Sequence, residues 1–321
     1  MSDEQQPDLE LEEAEADLFE HHRFKADPGQ EVVRIDKFLM DRMADTSRNK
    51  IQIAARNGNI HVNGLAVKQN YRVKPGDDIA IVLPYPVREI ELIAQDIPLE
   101  IVYEDNDLLV VNKPANMVVH PGYGNYSGTM VNALVFHFDN LPTRPKDYFG
   151  RPGLVHRIDK HTTGLLVVAK TELALNDLAK QFYDRTTERR YLALVWGDIQ
   201  EGGTVTGHIG RSLKNRKVMT VFPDGEYGKP AITHYKVIER FGYVTLIECK
   251  LETGRTHQIR AHMEYMKTPI LNDTLYNASK NHIIPENSIA LHSAVLKFTL
   301  ENEKYSFSSD VPSFFNRVLD V

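Results

Sequence analysis

RPGLVHRIDKHTTGLLVVAK, Arg151 to Lys170, sets a polar turn against an apolar run. Leu165 to Ala169 reads as a core strand, because five apolar residues in succession suit a strand buried on both faces. Asp159 falls in the turn between Leu154-Val155 and that strand, beside Arg157, Lys160 and His161. An acid at the mouth of a core strand is either a turn residue with ion partners or a catalytic carboxylate, and the turn alone leaves both readings open.

Working outward, Leu108 to Asn112, Tyr191 to Trp196 and Tyr243 to Leu251 are further strands by the same pattern. Leu173 to Tyr183 and His257 to Met266 carry helical spacing. Strands outnumber helices and do not alternate strictly with them. From Leu99 onward this predicts an α+β domain with much antiparallel pairing, not a doubly wound sheet. There is no internal repeat and no low-complexity segment.

The chain has 321 residues and a mass of 36.6 kDa, enough for about two domains. With 42% apolar and 26% charged residues it is neither a disordered chain nor a collagen. Its one cysteine, Cys249, cannot form an internal disulfide or a multi-cysteine zinc site, which suits a reducing compartment. Apolar runs fall far short of the ~20 residues that span a bilayer. The acidic N-terminus has no apolar core of a signal peptide. The expectation is a cytoplasmic protein.

The net charge of −6 is unevenly spread. Residues 1–31 hold eleven acids and two bases, Arg23 and Lys25, whereas the rest of the chain is net +3 and residues 32–83 are +4. Residues 1–31 therefore read as an acidic flexible tail, with a short helix over Leu9 to His21 as a weaker reading. A mildly basic body permits a polyanionic partner.

Residues 32–83 form a candidate small domain. Val33, Ile35, Phe38 and Leu39 have near-helical spacing. A second helix runs from Ser47, its N-cap, to Asn57, with Ile51, Ile53, Ala54 and Ala55 inward and Gly58 closing it. Asn59 to Val62, Asn63-Gly64 and Leu65 to Val67 read as strand, tight turn, strand, and Ile79 to Leu83 as another strand. Arg48, Lys50 and Arg56 on the helix and Asn59, His61, Asn63 and Lys68 on the hairpin make a compact basic face for phosphates, or a solvated charged face. Pro84, Pro86 and Pro98 mark residues 84–98 as a linker to a domain over 99–321.

Two further stretches carry chemistry. In LETGRTHQIRAH, Leu251 to His262, a strand ends at Thr253-Gly254 and Thr256 is placed to cap the helix that follows. Arg255 sits at that turn and Arg260 on the helix, and guanidinium forks suit carboxylates or phosphates. His257 and His262, five apart, share a helix face poorly and do not read as a metal pair. Arg189-Arg190-Tyr191 opens a strand, where Tyr191 is either core or a platform for a base. Gly122, Gly124 and Gly128 lack the spacing and lysine of a P-loop, so no nucleotide cofactor is expected.

Two resemblances join these pieces. Arg34 to Leu39, Ser47-Arg48 with Ile51-Gln52, Asn57 to Gly64, and Val73 to Ile79 are similar to the alpha-L RNA-binding domain first named for a small-subunit ribosomal protein. His156-Arg157-Ile158-Asp159 with Thr162-Thr163-Gly164, Glu104-Asp105 with Leu108 to Pro114, and Thr253 to Arg260 resemble, in the right order, the three motifs of the large-subunit ribosomal pseudouridine synthases. An alpha-L domain ahead of that catalytic domain is the arrangement of the family's type D branch. Departures are small: Asn116 and Asn272 stand where Gly is usual, Thr163 where Ser is, and Ile158 where Leu is.

The resemblance implies a mainly antiparallel mixed sheet with a central cleft, in which a uridine of folded RNA is isomerised to pseudouridine. It implies Asp159 as the essential carboxylate, acting on the sugar as nucleophile or as base, with Arg260 as its cation and Tyr191 stacked on the base. It implies Arg157 as a wedge filling the vacated stack, with Lys113, Arg255 and the loop bases Arg211, Lys214, Arg216 and Lys217 on phosphates. Arg48, Lys50, Arg56, His61 and Asn63 would hold RNA in the small domain. The reaction involves no redox change or net hydrolysis, so neither cofactor nor metal is expected. The implied partner is structured RNA, foremost large-subunit ribosomal RNA, with a monomeric enzyme and no membrane. A synthase acting on transfer RNA or on both RNA types, and a non-catalytic RNA-binding assembly factor, are the competing readings.

Overall fold

In the computed structural model the described residues are 19–43, 46–83, 92–122, 125–143, 151–215 and 217–320. The chain divides into two units, Met1–Ile90 and Glu91–Val321.

The small unit runs β1 (Phe19–Lys25), β2 (Val33–Arg34), α1 (Ile35–Met40), α2 (Arg48–Arg56), β3 (Ile60–Val62), β4 (Leu65–Ala66), β5 (Arg72–Val73) and β6 (Asp78–Leu83). The order β1-β6-β3-β4 makes an antiparallel sheet, and β2 pairs with β5. Ser47 caps α2 as expected, its Oγ accepting from the Lys50 N–H at 3.3 Å. The β3–β4 turn takes positive φ at both Asn63 (51°) and Gly64 (83°), the geometry that suits the twist of a two-residue hairpin. Ile35, Phe38, Leu39, Ile51, Ala55, Ile60 and Ile79 form the core.

Two expectations fail here. Residues 9–18 of the expected Leu9–His21 helix lie outside the described residues, but Phe19 to His21 belong to a strand. β1 pairs along β6, and Phe24, opposite Ile79, packs on the core, so the sheet extends into the segment expected to be tail. Ile53 points outward, 45% exposed, because only the Ile51–Ala55 stripe of α2 faces α1.

The large unit begins with residues 92–98, expected to be linker. Leu92 and Ile97 instead pack on its core, and Asn132 fixes the segment by donating to the Ile93 carbonyl at 2.8 Å. Residues 84–91 lie outside the described set. Then follow β7 (Ile101–Glu104), β8 (Leu108–Lys113), α3 (Met130–His137), β9 (Thr163–Ala169), α4 (Glu172–Asp184), β10 (Glu188–Trp196), β11 (Gly203–Arg211), β12 (Met219–Phe222), β13 (Lys229–Arg240) and β14 (Val244–Leu251). The chain ends with α5 (Gln258–Tyr265), a 3-10 turn (Thr274–Tyr276), β15 (Leu291–Leu300), β16 (Glu303–Ser308) and α6 (Ser313–Leu319). Ten strands form one sheet in the order β12-β11-β13-β14-β10-β15-β9-β8-β7, with β16 also on β15. Every pairing is antiparallel except β15 with β9. The α+β expectation holds.

β9 shows why its sequence is uninterruptedly apolar. Leu166 and Val168 face a core that includes Met130 and Leu134 of α3 and Ile259 and Met263 of α5. Leu165, Val167 and Ala169 face Leu175 and Leu178 of α4. Both faces are covered, and each fully buried aliphatic side chain contributes about 1.5–3 kcal/mol. At Gly164 (φ 109°) a Cβ would collide with the Ser293 backbone, so only glycine allows the parallel β9–β15 contact. That contact anchors the start of β9, immediately after the turn that carries Asp159.

Candidate active site

Three chain segments converge at the C-terminal side of that turn. Residues 153–156 run beside β9, with Leu154 bridged to Val168 and the Val167 N–H donating to His156 Nε2 at 3.1 Å. The chain then turns, the Thr162 N–H meeting the Asp159 carbonyl at 3.2 Å. Ile158 is buried and Asp159 is left at the cleft wall.

The second segment is the turn from β14 into α5. Thr256 does not cap the helix. His257, in left-handed conformation (φ 54°), is the N-cap, and its side chain makes no capping bond but meets the Tyr276 hydroxyl through Nδ1 at 3.0 Å. Gln258 locks the turn instead: its Oε1 accepts from the Arg255 N–H (2.9 Å) and Thr253 Oγ1 (2.7 Å), and its Nε2 donates to the Ile232 carbonyl and Thr233 Oγ1. Two residues on, Arg260 is buried with its fork bidentate on Asp273, Nε to Oδ2 at 2.7 Å and Nη2 to Oδ1 at 2.9 Å. Nη1 remains to meet Asp159 Oδ2 at 3.3 Å. The Tyr276 ring lies 4.9 Å from the guanidinium. Burial opposes the Arg260 charge, but Asp273 and then Asp159 outweigh it and hold its pKa above the ordinary value.

The third segment is β10, whose alternation puts Tyr191 inward. Burial raises its phenol pKa, Arg189 opposing and Asp159 adding. Asp159, Tyr191, Arg157, Arg255 and Arg260 line one cleft of about 780 Å³. A second hollow of about 680 Å³ meets it at Asp159 and is lined by His120, Lys160 and Arg211. Both volumes lie in the range of small-molecule and nucleotide-sized sites. His257 Nε2 stands 4.0 Å from Asp159, and burial lowers the His257 pKa against the pull of that carboxylate. Among the described residues no group of His, Cys, Asp and Glu is arranged to hold a metal.

The expected RNA contacts sort into two groups. Arg157 is exposed at the cleft with no internal hydrogen bond among the described residues, and Arg255 lines the cleft with only its Nε committed, to the Pro230 carbonyl. Lys214 and Lys217 are exposed, while Arg216 lies outside the described residues. In the small unit Lys50 is exposed, and Arg48 and Arg56 are exposed although they also bond to Asp36 and Gln69. Asn63 is held internally, donating to Asp77 and accepting from the Asp78 N–H, and His61 Nε2 bonds the Gly58 carbonyl.

Lys113 is a correction. It is 1% exposed and meets the carbonyls of Pro114 (2.7 Å), Met117 (2.9 Å) and Lys160 (3.2 Å). It staples the loop after β8 to the Asp159 turn, its buried ammonium committed to these three carbonyls rather than presented at the surface. Burial lowers its pKa to about 7 against the opposing charge of Asp159. The loop it clamps needs Asn116 in left-handed conformation (φ 63°), and Asn272 likewise has φ 64°, as asparagine in a glycine position requires.

Sequence reasoning missed Asp273, which aims Arg260. The signal was present in Leu271 to Tyr276, a polar triplet after buried residues, but nothing local ties Asp273 to a side chain 13 positions earlier.

Comparison with known proteins gives the same outline. A family model described as RNA pseudouridylate synthase matches residues 107–265, and one described as S4 domain matches 33–79. The uncharacterized RNA pseudouridine synthase YlyB of Bacillus subtilis is 47% identical over 270 residues, covering 84% of this chain and 86% of its own. The ribosomal large subunit pseudouridine synthase D of Vibrio parahaemolyticus is 40% identical over 295 residues, covering 87% of each. Among solved structures, human RNA pseudouridylate synthase domain containing 1 is 26% identical with a TM-score of 0.55, over 68% of this chain and 86% of its own.

Proposed function

The chain belongs to the RNA pseudouridine synthase family, with an S4 domain ahead of the synthase domain, and we propose that it isomerises specific uridines of large-subunit ribosomal RNA in the cytoplasm, using Asp159. The observation that carries this reading is the Asp159–Arg260–Asp273 chain in a cleft shared with Tyr191. A carboxylate must meet ribose as an anion in a partly dry site, and a guanidinium pinned from behind by a second carboxylate stabilises that anion without collapsing onto it.

The target nucleotide leaves its stack, at a cost of a few kcal/mol, and enters the cleft. Asp159 acts on the sugar, as nucleophile at C1′ or base at C2′, and the N1–C1′ bond breaks. The uracil turns between the cleft walls beside Tyr191, and C5 bonds to C1′ as the Asp159–C1′ bond breaks or, on the base route, as Asp159 returns the proton to C2′. The C5 proton leaves and N1 ends protonated, so atoms and charge balance with no co-reactant. Arg157, exposed at the rim, occupies the gap left in the RNA.

Ribosomal RNA is favoured over transfer RNA by the S4 domain and by relatives whose name specifies the ribosomal large subunit. The test is pseudouridine mapping of unmodified large-subunit ribosomal RNA and of transfer RNA after incubation with the protein. Pseudouridine at discrete ribosomal positions, absent with Asp159→Asn, is the expected result. Modification of transfer RNA alone would move the target, and full activity of Asp159→Asn would remove the mechanism.

A further inference from the structure

β10 has two faces with opposite treatment of charge. Glu188 and Arg190 point away from the cleft and pair with each other at 2.7 Å, and Lys297 and Glu248 extend the network. Arg189 and Tyr191 point in. Arg189 is only 8% exposed, its Nε has no hydrogen-bond partner, and it forms no ion pair with any carboxylate among the described residues. Its guanidinium lies over the Phe182 ring, 5.4 Å from the centroid. A buried guanidinium without an anion is unfavourable in the free protein, so its retention needs a reason outside the fold.

The surroundings make room for a ligand. At Gly254 a Cβ would stand 2.9 Å from Arg189 Nη1, so glycine clears the space beside the fork. Arg185 closes α4 in left-handed conformation (φ 62°), where glycine is the ordinary choice, and its side chain lines the same cleft as Arg189 and Arg255. Burial, and then the charge of Arg185, lower the Arg255 pKa, as expected for two converging cations. The carboxylates on this cleft are already engaged, Asp184 by Lys180 at 2.6 Å and Asp159 by Arg260.

We propose that Arg189, with Arg185 and Arg255, forms a phosphodiester subsite in the catalytic cleft, which takes a backbone phosphate of the RNA beside the uridine presented to Asp159. The guanidinium fork matches two phosphate oxygens, and the low-dielectric wall strengthens the contact. Arg189 therefore sets how far the strand can slide past Tyr191, two residues along the same face. The proposal rests on the RNA-modifying reading above.

The test compares wild type, Arg189→Met and Arg189→Lys on a transcript that the wild type modifies. Arg189→Met should leave the thermal midpoint of the free protein unchanged or higher, because no ion pair among the described residues is lost and methionine still packs on the Phe182 ring. Its affinity for the transcript should fall about 10- to 100-fold, the loss of a charged hydrogen bond. The slope of log affinity against log salt should become shallower by about 0.7–0.9, one phosphate. Arg189→Lys should recover the slope more than the affinity. A single methylphosphonate next to the target uridine should weaken wild type and cost Arg189→Met nothing more. Wild-type affinity and slope in Arg189→Met, a lowered thermal midpoint with an unchanged slope, or additive methylphosphonate losses at every position would overturn the subsite while the functional reading stands. A wild-type protein that modifies no uridine defeats that reading and the subsite with it.

Discussion

Asp36 in the small unit and Asp273 in the large one are both buried carboxylates gripped by arginine. Asp36 is 0% exposed and accepts from Arg34 Nε and Nη2, Arg48 Nε and Gln52 Nε2, all within 3.1 Å. Every partner closes back on the helices and strands around it. Asp273 takes two donors of one arginine and leaves a third, Nη1, facing Asp159 on the cleft wall. The first network holds a local fold together. The second is left open on one side, and the open side is where chemistry is proposed. Arg189, without a carboxylate partner among the described residues, extends the same contrast.

Breaking the open network should cost activity first. Asp159→Asn should lower single-turnover modification by about 10⁴-fold or more, as removal of an essential group does, while RNA affinity in a filter-binding assay holds. Tyr191→Phe keeps the ring and removes the hydroxyl. If that hydroxyl moves the C5 proton, turnover falls about 10²-fold with affinity intact, and a wild-type rate would leave Tyr191 a stacking role only. Asp273→Asn should lower turnover about 10²-fold through a misplaced Arg260, with a measurable drop in thermal midpoint. An Asp273→Asn enzyme of full activity would show that Arg260 needs no backstop.

Breaking the closed network should cost stability alone. Burial raises the Asp36 pKa, but Arg34, Gln52 and Arg48 together hold it below its ordinary 3.8. A carboxyl with a folded pKa below its unfolded one stabilises fully above the unfolded value and loses that contribution progressively as pH falls below about 4. Asp36→Asn should therefore cost about 1–3 kcal/mol at pH 7 in denaturant titration, and its stability should fall less steeply than wild type on acidification. The smallest effect belongs to the solvated face: Lys50→Ala with Arg56→Ala should weaken RNA binding about three- to tenfold at low salt, and less as salt rises.

The β9 run and the strand-to-helix turn at Thr253-Gly254 were legible because local pattern determines them. The Ser47 cap, the Asn63-Gly64 turn and the left-handed Asn116 are likewise set by one or two residues each. β11, β12 and β16 were not legible. In β16 the exposure alternates around Tyr305 and Phe307, and that face has meaning only against Phe298 of β15. β1 hides in an acidic segment because its pairing with β6, not its own composition, makes it a strand. Lys113 misled for a related reason. A lysine in a motif reads as a phosphate contact until three carbonyls are found around its ammonium.

From sequence alone came the two-part order of the chain, the α+β class, the family and the pairing of Asp159 with Arg260. The first two follow from side-chain periodicity and local composition, which a linear string preserves; the family and the pairing follow from the resemblance of three ordered motifs. Tertiary structure alone decided that Asp273 aims Arg260, that Lys113 is a staple and that Arg189 stands buried without a carboxylate partner among the described residues. Each of those depends on which side chains burial brings together across 13 to 47 positions, and on how many donors and acceptors remain once they meet.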